Sequence, residues 1–181
     1  MRRIVAGLFS SLDGVVESPN EWAYQYFTDE MLAEIGAGVT AADAVLVGRR
    51  TYREFVGRWA GRDDSPMATF LNESPKYVVS TTLRPDELTW ASSTLLDGDL
   101  GARLGELKRQ SGKNIQVPGS PRLVRALLRD GLLDELHLSI CPLVVGTGFR
   151  LFDELTARIP LELTDSTTST TGVLGLTYRP A

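Results

Sequence analysis

The chain has 181 residues, 43% of them apolar and 23% charged, with a net charge of −4. That length suits one domain with a sizeable core, and the negative balance excludes bulk attraction to nucleic acid or to an anionic membrane. One cysteine, Cys141, and one histidine, His137, exclude a disulfide framework and a cysteine–histidine zinc site within one chain, which fits a reducing cytoplasm.

Arg3 to Phe9 is an apolar run that reads as the first strand. The two arginines at its start resemble a signal peptide, but the run is too short and Asp13 soon interrupts it with a charge. No segment approaches the length of a membrane span. Ser10 to Asn20 is a loop. Within it Asp13-Gly14 is a turn pair, because Asp bonds its own backbone and Gly supplies positive φ. A loop after the first strand is equally a place for a lid. Glu21 to Phe27 carries Trp22, Tyr24, Tyr26 and Phe27, which either wall a pocket for a flat heterocycle or form a local apolar cluster. Thr28 is an N-cap, with Asp29 and Glu30 in the first turn, where carboxylates favour the helix dipole. Leu32, Ile35 and Val39 stripe a helix that runs to about Ala42.

Ala44 to Val47 is an unbroken apolar run and predicts a buried strand, ended by Gly48. Arg49 to Val56 comes next, with Tyr52, Phe55 and Val56 at helical spacing. A helix N-terminus presents free N–H groups and partial positive charge to an anion. Gly48 opens the backbone to a ligand, Arg49 and Arg50 add guanidinium forks that match phosphate, and Thr51 adds a hydroxyl. The alternative is an ordinary strand-to-helix turn with solvated arginines. Pro66 to Asn72 predicts a short helix. Lys76 to Ser80 predicts a strand, ending in the hydroxyls of Ser80, Thr81 and Thr82, which either cap a turn or hold phosphate and ribose. Leu88 to Ala91 predicts another short strand, and Asp99 to Gln110 a helix closed by Gly112.

Asn114 to Leu128 repeats the strand–glycine–helix pattern. Ile115 to Val117 is the strand and Pro118-Gly119 the turn. Ser120 is the N-cap, Pro121 sits at the first helical position, and Arg122 lies in the first turn. Two such junctions in one sheet point to a nucleotide site at the carboxyl ends of the strands. Glu135 to Cys141 alternates, with Leu136, Leu138 and Ile140 on one face and His137 on the other; Cys141 reads as a buried, inert thiol. Leu161 to Thr170 and Val173 to Arg179 form an antiparallel hairpin about Gly172. There is no repeat and no long linker, so a single domain over residues 1–181 is expected.

Six segments, in their order and spacing, resemble the dihydrofolate reductase-like superfamily. They are Ser11-Leu12-Asp13-Gly14, Gly48-Arg49-Arg50-Thr51-Tyr52, Val79-Ser80-Thr81, Gly119-Ser120 with Leu123, Gly131 to Glu135, and Pro142 to Gly148. Nearly the whole chain is covered. The resemblance is closer to the reductase half of the riboflavin-biosynthesis deaminase-reductase, in its small stand-alone form, than to dihydrofolate reductase itself. It implies an α/β fold: three αβα layers around a mixed, mainly parallel sheet that ends in an antiparallel hairpin. It implies NADPH as cofactor and hydride transfer to a pyrimidine- or pteridine-like heterocycle, with the phosphoribosylamino-uracil intermediate of riboflavin synthesis as one such substrate. It also implies a cytoplasmic homodimer.

By the same resemblance, Gly48, Arg49, Arg50 and Thr51 hold the cofactor phosphates, and Ser80 and Thr81 the adenosine ribose and its phosphate. Gly119, Ser120, Arg122 and Leu123 lie against the pyrophosphate, and Leu12, Asp13 and Gly14 border the nicotinamide. Trp22, Tyr24, Phe27 and Phe55 are the candidates for the substrate side, and Asp13 and Glu30 for the proton donor. The chain departs from the family at Ser120, which stands where a second glycine is usual, and after Thr51, where Tyr-Arg-Glu-Phe replaces an Asp-Pro-containing stretch. Two other readings are a true dihydrofolate reductase and a nucleotide-binding module without catalysis.

Overall fold

The computed structural model describes residues 1–181. β1 (Ile4–Ser11) leads through two single 3-10 turns into α1 (Asp29–Thr40), where the Thr28 hydroxyl accepts from Met31 N–H. β2 (Ala42–Gly48) runs directly into α2 (Arg49–Trp59), then α3 (Pro66–Glu73) and β3 (Lys76–Val79). β4 (Ser93–Leu96), α4 (Leu100–Arg109), β5 (Asn114–Pro118) and α5 (Pro121–Arg129) come after them. β6 (Glu135–Cys141), β7 (Leu161–Thr168) and β8 (Leu174–Pro180) complete the chain. The sheet order is β4-β3-β2-β5-β1-β6-β8-β7. β1 to β6 are parallel, and the β7–β8 hairpin adds to β6 antiparallel.

The unbroken apolar run of β2 has a direct cause: both of its faces are buried. Ala44 and Leu46 pack with Leu104 of α4 and Val124 of α5, whereas Val45 and Val47 meet Tyr52 of α2 and Leu71 of α3. α1 joins this second layer through Met31, which clusters with Cys141 and Val173. The expected three-layer αβα arrangement is therefore present. Cys141 is fully buried, and burial pushes its thiol up to about 11, so it is inert packing.

One element differs from expectation. Leu88 to Ala91 is not a strand. Glu87 bonds back to Arg84 N–H across a 3-10 turn, and Trp90 is buried with its N–H donating to the Tyr52 hydroxyl at 3.0 Å. Its apolar residues serve the α2–α3 cluster, and the strand starts only at Ser93. In β3, Lys76 is fully buried. Its Nζ donates to the carbonyls of Leu71, Asn72 and Ser74 at the end of α3 and lies 4.8 Å from the Trp90 ring. It thus caps a helix end whose carbonyls lack partners within the helix. Burial pushes its ammonium down to about 8.

Candidate functional site

Parallel strands bring their carboxyl ends to one edge of the sheet. Along it lie Ser80 after β3, Gly48 at the end of β2, Gly119 after β5 and Leu12 after β1. Because β2 and β5 are neighbours, the N-termini of α2 and α5 stand side by side. Gly48 N–H donates to the Ser120 hydroxyl at 2.9 Å, which ties the two junctions together. Ser120 therefore does not cap its own helix as expected; it sits in the left-handed region, φ 59° and ψ 58°, with its hydroxyl turned to the neighbouring strand. The preceding Gly119 has φ +95°, which favours glycine. Thr51 and Leu123 are buried in this seam: the Thr51 methyl faces Gly119, and Leu123 packs beside Gly48.

Three arginines project from the seam. Arg49 bonds the Thr82 hydroxyl and so spans from α2 to the loop after β3. In that loop Ser80 is buried and accepts from Thr82 and Leu83 N–H at 3.2 and 2.9 Å, which makes its oxygen a turn former, while Thr81 is exposed. Arg50 pairs with Glu54 at 3.0 Å and with Glu17 at 3.1 Å, and these carboxylates push its guanidinium further toward the charged form. Arg122 is exposed, with its guanidinium 4.9 Å from the Phe149 ring centre.

The loop after β1 is pinned by Asp13. Its carboxylate accepts from the Ser11 hydroxyl at 2.7 Å, from Val145 and Gly146 N–H at 3.0 and 2.9 Å, and from Arg150 at 3.2 Å. The Ser11 bond first, then the Val145 bond, hold this carboxyl well below the usual range. Asp13 is thus an anchor whose carboxylate is engaged by protein donors on both oxygens. Gly14 has φ +84°, and its carbonyl accepts from Leu151 N–H at 3.2 Å. Leu12 is 67% exposed at this edge, its N–H bonded to the Leu143 carbonyl. Glu30, the other candidate proton donor, lies apart from this anchor. It is exposed in the first turn of α1, and the Thr28 hydroxyl and its own backbone N–H hold its carboxyl low.

The aromatic candidates divide. Phe27 stacks on Phe9 at 5.0 Å and meets Tyr24 edge-on at 5.3 Å, and the Tyr24 hydroxyl bonds Arg58 of α2. Trp22 packs against the same Ala23, Met31, Cys141 and Val173 cluster as Phe9 and Phe27, and its indole N–H donates to the Glu17 carbonyl at 3.0 Å. Phe55 packs against the Tyr52, Leu71 and Trp90 cluster. Sequence reasoning missed Glu17 and Arg150. Glu17 joins three segments, since its side chain also accepts from Phe149 N–H at 3.1 Å. The signal for this contact was Gly146-Thr147-Gly148: a Cβ on Gly148 would stand 2.8 Å from Val15.

The family model described as RibD C-terminal domain matches residues 2–174. The uncharacterized protein YyaP of Bacillus subtilis (strain 168) is 28% identical over 190 residues, covering 98% of this chain and 95% of its own. Among solved structures, a putative riboflavin biosynthesis protein from Shewanella sp. PV-4 superposes with a TM-score of 0.81 at 18% identity, covering 99% of each chain. Dihydrofolate reductase from Enterococcus faecalis, complexed with NADP(H) and RAB-propyl, gives a TM-score of 0.64 at 13% identity over 98% of this chain and 96% of its own. These two likenesses show the fold, which is dihydrofolate reductase-like.

Proposed function

The chain belongs to the RibD C-terminal domain family, and from that premise we propose that it is an NADPH-dependent reductase of a pyrimidine- or pteridine-like heterocycle. The observation that carries this reading is the seam between β2–α2 and β5–α5. Two helix N-termini meet there within one hydrogen bond, flanked by the exposed guanidinium groups of Arg49 and Arg122. Cationic forks, free N–H groups and hydroxyls make a donor set that fits a pyrophosphate. The complex of the enterococcal relative with NADP(H) is consistent with it.

In this reading Arg49, with Thr81 and Thr82 beside it, binds the phosphorylated adenosine ribose. Arg50 and Arg122 bind the pyrophosphate. The nicotinamide, when bound, supplies the hydride. Leu12 and Val144, both exposed apolar residues on the two loops that Asp13 joins, exclude water from the reacting face. Asp13 and Glu30 are held ionised, so they have no proton to give at neutral pH, and the proton is drawn from water. The substrate side includes Phe27 and Tyr24. The phosphoribosylamino-uracil intermediate of riboflavin synthesis is one substrate of this class. The same reading carries a cytoplasmic setting and a homodimer formed through the β7–β8 hairpin.

A titration monitored by nicotinamide emission tests it, with NADPH and NADH against wild type and Arg49→Ala. Micromolar NADPH binding, weaker for NADH, is expected. Removing the Arg49 fork weakens NADPH by about ten- to hundredfold. Absence of binding by either nucleotide returns Gly48 to Thr51 to an ordinary strand-to-helix turn.

A further inference from the structure

Most polar side chains inside this sheet and its helices are fully engaged. Asn72 donates to the carbonyls of Trp59, Arg62 and Ala68 and accepts from Gly61 N–H and the Trp90 indole. The Glu135 carboxylate is held by Arg3, His137 and Arg179. Gln116 is different. It lies in the middle of the sheet, on β5, paired with Val5 of β1 on one side and Val45 of β2 on the other. Its chain neighbours Ile115 and Val117 are buried in the α4–α5 layer, so strand alternation turns Gln116 to the opposite face. There its carboxamide makes no hydrogen bond to the protein and stays half-buried, in reach of solvent.

An amide so placed keeps two donors and two acceptor sites for something other than protein. The ground beside it is clear. Gly7, on the same face of β1, is half-buried, and a Cβ there would stand 3.4 Å from Gln116 Nε2. Gly7 is not among the positive-φ glycines, so its backbone does not call for glycine; what it contributes is space. Two residues on, Phe9 stacks with Phe27, and Tyr24 carries the wall across to Arg58 of α2. The floor is thus flat and bears one polar group, the near wall is aromatic, and the carboxyl edge of the sheet is three residues away at Gly119. Such a surface offers a planar ring a single polar reading point.

We propose that Gln116 is a substrate-specificity residue that pairs, through its carboxamide, with the adjacent N–H and C=O of a neutral lactam edge on the heterocycle. The assignment rests on the reductase reading and deepens it. An amide matches such an edge with one donor and one acceptor. A carboxylate would instead ask for two adjacent donors, such as a ring N–H beside an amino group.

Lumazine, a fluorescent pteridine with lactam edges, is the probe, titrated into the protein with and without saturating NADPH. Wild type is expected to bind it. Gln116→Met, close in size and apolar, should raise its Kd by about tenfold or more, and Gln116→Glu likewise, because the carboxylate has no donor for the carbonyl. Gly7→Ala, whose new methyl would stand on the floor in contact with the amide, is the second variant and should also weaken lumazine. NADPH affinity and thermal midpoint stay near wild type in the Gln116 variants. Equal lumazine Kd in wild type and Gln116→Met overturns the assignment, and so does failure of the wild type to bind lumazine while it binds NADPH. Failure of NADPH to bind overturns the cofactor reading instead, and the nucleotide-free titration still decides Gln116.

Discussion

Asp13 gathers donors from residues 11, 145, 146 and 150 onto one carboxylate. All of them favour its charged form, so its folded pKa lies below the ordinary value near 3.8. A depressed carboxyl contributes stability that is present above that ordinary value and lost as pH falls through the folded one. Asp13→Asn should therefore melt below wild type at neutral pH, and the gap should close as pH drops below about 4. Thermal melts across that range check it; a gap independent of pH would mean that the charge is not what matters. From the sequence alone, Asp13-Gly14 is legible as a turn and, by resemblance, as a nicotinamide neighbour. Its anchoring role is not, because two of its donors are backbone N–H groups more than a hundred positions away, and backbone carries no sequence signal.

At the scale of elements, the seam between α2 and α5 depends on Ser120. Its hydroxyl serves Gly48 N–H, yet its backbone is in the left-handed region, where a Cβ costs about 1–2 kcal/mol. Ser120→Ala keeps that cost and leaves the N–H unpaired, so a loss of about 1 kcal/mol is expected. Ser120→Gly loses the same bond but relieves the backbone, so its stability should stay near wild type. Denaturant titration of the pair separates the two effects, and equal losses would remove the backbone argument. The sequence marks where this junction lies, since Pro118-Gly119-Ser120-Pro121 can hardly be anything but a turn into a helix. It misleads about the serine, because Ser before Pro is also a strong capping signal. β2 is legible from its unbroken apolar run. The Leu88 to Ala91 stretch misleads because burial of Trp90 beneath α2 imitates the pattern of a short strand.

For the molecule as a whole, the surface is uneven. β7 is exposed along almost its full length, and Leu163 and Leu174 are 49% and 40% exposed. Beside the hairpin an apolar cavity of about 320 Å³ is lined by Leu128, Phe152, Leu155, Ala157, Ile159 and Leu161. A proposed homodimer formed here would cover both the open strand and this apolar ground. Sedimentation equilibrium should give a dimer for wild type and a monomer for Leu163→Lys, with the thermal midpoint of the variant lower at equal concentration. A wild type that sediments as a monomer rejects the hairpin interface.

The placement of Glu17 has one more consequence. One of its carboxylate oxygens lies on Arg50, the other on Phe149 N–H, and its carbonyl holds the indole of Trp22. An anion that takes Arg50 away from Glu17 therefore disturbs the environment of a tryptophan. The chain's other two indoles are placed differently: Trp90 is buried, and Trp59 lies under Arg58 and Arg62. Trp22 emission is therefore expected to report an anion at the proposed phosphate grip, including ligands that neither absorb nor emit light themselves.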